Sequence, residues 1–276
     1  MINFLHSLYI RLTNKIRKLR KKNSWKTIPH LKDNVFFKNE FQLFDPHLIG
    51  LQTLGDQCKS ADTAKEVLKI LSKLENEPCI NFVKDYIAQG LNTYGSSWKY
   101  ADINTLLYTI GKNIKISNYL EIGVRRGRSM CVLASQSKQA DFYGFDLWIE
   151  NYTGVDNPGP DFVRKELSKF EYQGNLTFID GDSKKTIPNF FRENPNLYFD
   201  VITVDGDHSL YGAKIDILNV IKKLKIGGIL VFDDISSHEH PYLYDLWKKI
   251  IKKRKNFYSW EFSELGLGVA FAIRKY

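Results

Sequence analysis

The sequence predicts an α/β chain in which a helical N-terminal region precedes an open, mostly parallel sheet. Three observations carry this. From residue 118 onward, short β-branched or aromatic runs alternate with stretches of helical apolar spacing, the signature of strand–helix–strand units. The first five runs hold or stop at an acid: Glu121, Asp146, Asp180, Asp205, and Asp233 with Asp234. The last two runs, residues 259–264 and 268–273 on either side of Gly266, suit a closing antiparallel pair.

At 276 residues and 43% hydrophobic, the chain can bury the core of one large α/β domain with an N-terminal extension, or of two small domains. Its net charge of +9 is a local feature. Residues 1–32 hold nine Lys and Arg and no acid, which leaves 31 basic residues against 31 acids in the body. A neutral body argues against an extended nucleic-acid face, because phosphate contacts need a basic surface. Cys58, Cys79 and Cys131 form neither a CxxC pair nor a metal-ligand spacing and suit apolar filler in a reducing compartment. No apolar run is long enough to span a bilayer. The N-terminal charges follow the apolar residues rather than precede them, unlike a secretory signal. The expected location is the cytoplasm.

In chain order, residues 1–25 come first as a basic amphipathic arm. Leu5, Leu8, Leu12, Ile16 and Leu19 share one helical stripe, with most basic residues opposite. Such a helix can make peripheral contact, through residues 1–22, with the inner face of an anionic membrane. It can equally pack on the protein's own body or on a second subunit of a homo-oligomer. Residues 26–117 read as linker and helical region. The stretch 23–60 is irregular, with Pro29, Pro46, Gly50 and Gly55. Helices follow from a cap at Ser60 or Asp62 through Leu74, then over 80–88 and 101–110, with a polar loop at 92–97.

The sheet domain is expected over 118–276. Residues 118–122 form a strand, residues 123–127 turn it, and a helix starts near Ser129. A strand over 142–145 ends at Asp146. Residues 149–161, containing Asn157-Pro158-Gly159-Pro160, read as an exposed loop before a helix over 162–170. The third strand, 176–179, ends in Asp180-Gly181-Asp182-Ser183. The central unit is 199–235. Val201, Ile202 and Val204 stop at Asp205-Gly206-Asp207-His208; Tyr211, Ile215, Leu218, Ile221 and Leu224 mark one helix face; Gly227-Gly228 ends that region; Ile229 to Phe232 form a strand stopping at Asp233-Asp234. Right-handed crossovers would bring these strand ends to one edge, where open α/β sheets bind ligands. A helix over 242–253 precedes the closing pair.

The motifs have a chemical reading. Glu121-x-Gly123-x-x-x-Gly127 follows a strand and opens a helix; its glycines let a ligand approach the backbone, and the helix N-terminus offers free N–H groups. It is not the G-x-G-x-x-G of a nicotinamide site. Asp146, 25 residues after Glu121, can accept hydrogen bonds from a ribose diol. Asp182 can hold an adenine amino group, and Trp148 can stack on the ring or anchor the loop. Together these point to a nucleoside ligand.

This order, over residues 118–275, resembles class I S-adenosylmethionine-dependent methyltransferases. Within them, Asp205-Gly-Asp-His-Ser209 followed by Gly-Gly-Ile-Leu-Val-Phe-Asp-Asp234 is similar to the macrocin O-methyltransferase and sugar O-methyltransferase group. The resemblance implies a Rossmann-like, seven-stranded, mostly parallel sheet with a C-terminal antiparallel hairpin. It implies S-adenosyl-L-methionine held by Glu121, Gly123, Gly127, Ser129, Asp146, Asp182 and Ser183. It implies Mg²⁺ held by Asp205, Asp233 and Asp234, and a catalytic base at His208 or, as in other members, at Asp207. A hard cation on an alcohol oxygen lowers its pKa, and an imidazole can take the proton. His238 and His240, just past the acidic pair, can touch substrate or metal or belong to a solvated loop.

The expected function is therefore Mg²⁺-assisted O-methyl transfer to a small hydroxylated acceptor such as a sugar or glycoside. The alternatives are an RNA methyltransferase using the basic arm, and a non-catalytic cofactor-binding protein at a membrane.

Overall fold

A computed structural model describes residues 35–38, 41–44, 49–151 and 154–275. The chain divides into two compact units, Met1–Pro46 and His47–Tyr276. In the first, β1 (Val35–Lys38) pairs antiparallel with β2 (Phe41–Phe44), with Val35 opposite Phe44 and Lys38 opposite Phe41. Part of the expected irregular linker is therefore paired strand. The basic amphipathic arm lies outside the described residues.

The second unit opens with four helices: α1 (Leu51–Cys58), α2 (Ala61–Leu71), α3 (Pro78–Tyr94) and α4 (Ile103–Asn113). Their ends follow from capping chemistry. The Ser60 hydroxyl accepts from the Thr63 nitrogen at 3.2 Å. Glu77 accepts from the nitrogens of Cys79 and Ile80 ahead of Pro78. Asp102 and Thr105 form a reciprocal capping box. Helix α3 runs through half of the expected polar loop and ends in a 3₁₀ turn at Gly95–Ser97. Leu54, Val67, Leu71, Ile87, Leu106 and Leu107 share one buried cluster with Tyr119 and Phe142 of the sheet. The division expected at residue 118 is therefore not a break in packing.

The sheet has seven strands: β3 (Asn118–Ile122), β4 (Asp141–Asp146), β5 (Leu176–Asp180), β6 (Phe199–Val204), β7 (Leu224–Asp233), β8 (Phe257–Phe262) and β9 (Val269–Arg274). Their spatial order is β5-β4-β3-β6-β7-β9-β8. The first five are parallel, and β9 is antiparallel to both β7 and β8. This is the predicted architecture. Between the parallel strands run α5 (Arg128–Ala134), α6 (Pro160–Ser168), α7 (Ser183–Glu193) and α8 (Leu210–Val220). After β7 comes α9 (Tyr242–Trp247), continued by a π-helical stretch over Lys248–Lys252.

Several local expectations are corrected. Helix α8 buries Gly212, Ala213, Asp216, Ile217 and Val220, not the face through Tyr211, Ile215 and Leu218; Tyr211 is 67% exposed. The buried stripe mixes Gly212, Ala213 and Asp216 with Ile217 and Val220, so apolar spacing marked a neighbouring face, of which Ile221 and Leu224, just past the helix, are buried. Gly227 and Gly228 lie within β7, where a register shift against β6 falls between Phe199 and Val201. They form a bulge rather than a helix end. Helix α7 was not foreseen, because Pro188 interrupts its pattern.

Candidate active site

The strand ends converge as the topology requires. After β3 the chain turns through Gly123 (φ 89°) and Gly127 (φ 72°), both left-handed. A Cβ on Gly123 would lie 1.9 Å from the carbonyl oxygen of Asp205, and one on Gly127 would lie 2.5 Å from Val163. Neither position tolerates a side chain.

Asp146 organises this turn. Its carboxylate accepts from the Arg125 nitrogen at 2.7 Å and from the Trp148 nitrogen at 2.6 Å. Both donors are non-glycine residues with φ of 51°. Such conformations persist where surrounding bonds over-determine them and cluster at functional sites. The Trp148 indole donates to Asp180 at 2.7 Å and meets Phe178 edge-on, which anchors the loop.

Glu121 is fully buried and turned inward. It accepts from the Ser129 hydroxyl and, at 2.7 Å, from the Tyr119 hydroxyl, which in turn contacts Thr203 at 2.9 Å. Burial pushes its pKa up to about 8; the two hydroxyls offset this in part, and Asp205 and Asp146 add to it. Glu121 and Ser129, both expected to face a cofactor, are thus bonded to each other beneath the turn.

Asp182 caps α7 by accepting from the Lys184 nitrogen at 3.0 Å. The Ser183 hydroxyl donates inward to Asp216 at 2.7 Å. Asp216 is fully buried with its second oxygen unbonded, and burial raises its pKa to about 6. The Lys184 ammonium bridges Asp182 at 3.1 Å and Asp207 at 2.9 Å, tying the end of β5 to the end of β6. Sequence reasoning missed Lys184 and Asp216, since neither lies in a motif.

At the ends of β6 and β7, the His208 Nε2 lies 3.3 Å from Asp205 and 3.2 Å from Asp234. These three residues offer ligand atoms all within 4.8 Å of one another. Asp233, the third expected metal ligand, does not belong to that group of three. Its charge still acts there: burial first, then Asp205, Asp234 and Asp102, holds its carboxyl well above the usual range. Asp234 sits at φ 60°, and burial with the charge of Asp205 raises its pKa to about 6 against the opposing pull of His208 and Arg128. For His208, burial favours the neutral ring, but the hydrogen bond and charge of Asp205, with Asp234 and Asp207, prevail and raise it to about 9.

Asp207 behaves differently. It accepts from the Ser209 nitrogen at 2.9 Å and pairs with Lys184, and these outweigh burial to lower its pKa. His240 stacks on His208, with ring centroids 5.3 Å apart and planes 13° from parallel. His238 is exposed.

Residues 120–235 match the family model of a methyltransferase domain. That stretch begins in β3 and ends just after Asp234. No curated protein sequence matches the chain. Among solved structures, the chain is similar to the O-methyltransferase TomG from Streptomyces achromogenes in complex with SAM, with TM-score 0.50 and 14% identity over 74% of this chain and 92% of that one. It is also similar to cofactor-bound Rv0187 from MTB, with TM-score 0.50 and 17% identity over 62% and 79%. A third likeness, to the calicheamicin methyltransferase CalS11, has TM-score 0.48 and 16% identity over 82% and 93%. At such identities the likeness to these structures is one of fold. The sheet's glycine turn and acidic strand ends thus lie within the stretch, residues 120–235, that matches a methyltransferase domain.

Proposed function

We propose that the enzyme transfers the methyl group of S-adenosylmethionine to a hydroxyl oxygen of a small acceptor, a sugar or glycoside, with help from a divalent cation. One observation carries the reading. The Gly123 turn and the Asp205 loop are in van der Waals contact, with the Asp205 nitrogen donating to the Ile122 carbonyl at 2.9 Å. A donor on the first loop and an acceptor at the second are therefore neighbours, and aligning oxygen, carbon and sulfur is most of what methyl transfer requires of a protein.

On this reading Gly123, Gly127 and the start of α5 form the donor cradle. Asp146 would bind the ribose with the lone pairs left after Arg125 and Trp148. Asp182 would meet the adenine. Glu121, Ser129 and Ser183 support the cradle from beneath, through Tyr119 and Asp216.

The acid group suits a hard cation. It comprises oxygen donors and one imidazole, with Asp233 and Asp234 both raised by burial and then by the charge of Asp205, which a bound cation would offset. Asp205 and Asp234 would hold the ion, with Asp233 beside them; when bound, it acidifies an acceptor hydroxyl and neutralises the carboxylates that keep His208 protonated. His208 then takes the hydroxyl proton as the oxygen attacks the methyl carbon and the carbon–sulfur bond breaks. Asp207, held ionised by Lys184, is the weaker base.

Calorimetry with S-adenosylhomocysteine tests the donor half, and absence of binding would overturn it. Labelled methyl transfer into a panel of glycosides, with and without EDTA, tests the acceptor half. Label arriving on nitrogen or carbon, or turnover indifferent to EDTA, would overturn O-methylation or cation assistance respectively.

A further inference from the structure

We infer that His240 is an acceptor-binding residue whose Nε2 accepts a hydrogen bond from a second acceptor hydroxyl, on the carbon adjacent to the one methylated. This rests on the reading that the reacting hydroxyl lies at His208.

The inference follows from a hydrogen count. The Tyr242 hydroxyl lies 3.1 Å from the backbone oxygen of His208 and 3.0 Å from the Nδ1 of His240. A carbonyl oxygen can only accept, so the single phenolic hydrogen points to His208. The phenol oxygen must then accept from His240, and the hydrogen of a neutral His240 ring sits on Nδ1. Nε2 is left with its lone pair. That nitrogen makes no hydrogen bond to any described residue, and it is not closed off from solvent. It also lies outside the ligand group of Asp205, His208 and Asp234, so its role is separate from theirs.

Position gives the lone pair its meaning. The His240 ring lies almost parallel to His208 at 5.3 Å between centroids. Hydroxyls on neighbouring ring carbons are about a hydrogen-bond length apart, so one can face each imidazole. Tyr242 fixes both partners at once, the backbone of His208 and the tautomer of His240. A site that presents a fixed acceptor to a substrate hydroxyl discriminates against analogues lacking that hydroxyl, because its own polar group is then left unpaired. The acceptor class is thus a vicinal diol, methylated at one oxygen and read at the other.

The test uses the full chain, ¹⁵N-labelled at histidine, with S-adenosylhomocysteine and Mg²⁺. Two matched probe pairs are titrated: methyl α-mannoside against its 2-deoxy analogue, and catechol against phenol. The ¹⁵N spectrum should show His240 with hydrogen on Nδ1 and a bare Nε2. Nε2 should shift on adding the diol of at least one pair and not with its partner. That diol should bind roughly tenfold more tightly, the worth of one hydrogen bond. The preference should vanish in His240→Ala and shrink in Tyr242→Phe, which frees the tautomer. Hydrogen on Nε2, no preference in either pair, or a preference surviving His240→Ala would overturn the inference. S-adenosylhomocysteine affinity, read in the same samples, keeps the two claims apart: its loss counts against the methyl-transfer reading, while intact donor binding without diol preference counts against His240 alone.

Discussion

The carbonyl oxygen of Asp205 lies where a side chain on Gly123 would begin, 1.9 Å from an ideal Cβ, while the Asp205 nitrogen is bonded to Ile122. The donor turn and the acid loop cannot move independently. Gly123→Ala should force the two apart, at a backbone angle that alanine also resists. We expect turnover to fall by roughly a hundredfold or more, as for a misplacement on the order of 1 Å, and donor affinity to fall with it. Gly50→Ala is the control, since nothing lies within 4 Å of its Cβ. Calorimetry and steady-state rates compare the two, and near-normal donor binding in Gly123→Ala would refute the coupling.

Asp146 ties two left-handed residues to one carboxylate. Asp146→Asn keeps one acceptor oxygen and turns the other into a donor facing an N–H. The cost should be roughly 1–3 kcal/mol for the lost charge-assisted bond, visible in thermal melts, and donor affinity should weaken further through loss of the proposed ribose contact. If S-adenosylhomocysteine bound the variant as tightly as the parent, Asp146 would be a structural pin only.

Much of this site was legible in the sequence because strand-end acids and the glycine turn are local signals. Seven strands, their order of acids and the closing pair followed from short apolar runs, and β3 begins and ends where expected. What stayed hidden depends on three-dimensional partners. The buried side of α8 sets Gly212, Ala213 and Asp216 beside Ile217 and Val220, and no apolar period marks the first three. Glu121 looked like a ligand-facing acid, and only the neighbouring Tyr119 and Ser129 reveal that it points inward. Lys184 gains meaning solely from Asp182 and Asp207, which lie on different loops. Tyr242 matters because α9 returns the chain to His208.

Glu121 makes stability depend on pH in a predictable direction. Its folded pKa is raised to about 8 from an ordinary 4.5. The folded state therefore holds a proton that the unfolded chain has lost, and stability falls as pH rises from about 4.5 until the group ionises near 8. Glu121→Gln removes this loss. The variant should gain on the parent between pH 5 and 9, by a shift in melting temperature on the order of a few degrees. A difference that stays flat across that range would mean Glu121 is ionised in the folded protein.

Lys184 should matter to the donor and little to the fold. Its two ion pairs are about one-third exposed, with side-chain exposure of 30% for Lys184, 33% for Asp182 and 35% for Asp207, so solvent screens them. Lys184→Met should lower melting by no more than a few degrees, since pairs of this kind contribute up to about 1 kcal/mol, while weakening donor affinity roughly two- to fivefold. The effect should shrink as salt is added. A loss that ignores ionic strength would assign Lys184 a contact with the ligand itself rather than with the loops.

Cation binding should release protons. Without a cation the proton on His208 is held to about pH 9 and that on Asp234 to about pH 6. The positive charge of a bound ion would displace the His208 proton and, at lower pH, the one on Asp234. The affinity for Mg²⁺ should therefore rise with pH from about 6 towards 9 and level off above it. Calorimetric titration in two buffers of different ionisation enthalpy, with donor product present, reads the proton count directly. At neutral pH about one proton per ion is expected in the parent, and fewer in His208→Gln. Binding with no proton release would show that His208 is already neutral beside its two carboxylates, and the path by which it becomes a base would have to be drawn differently.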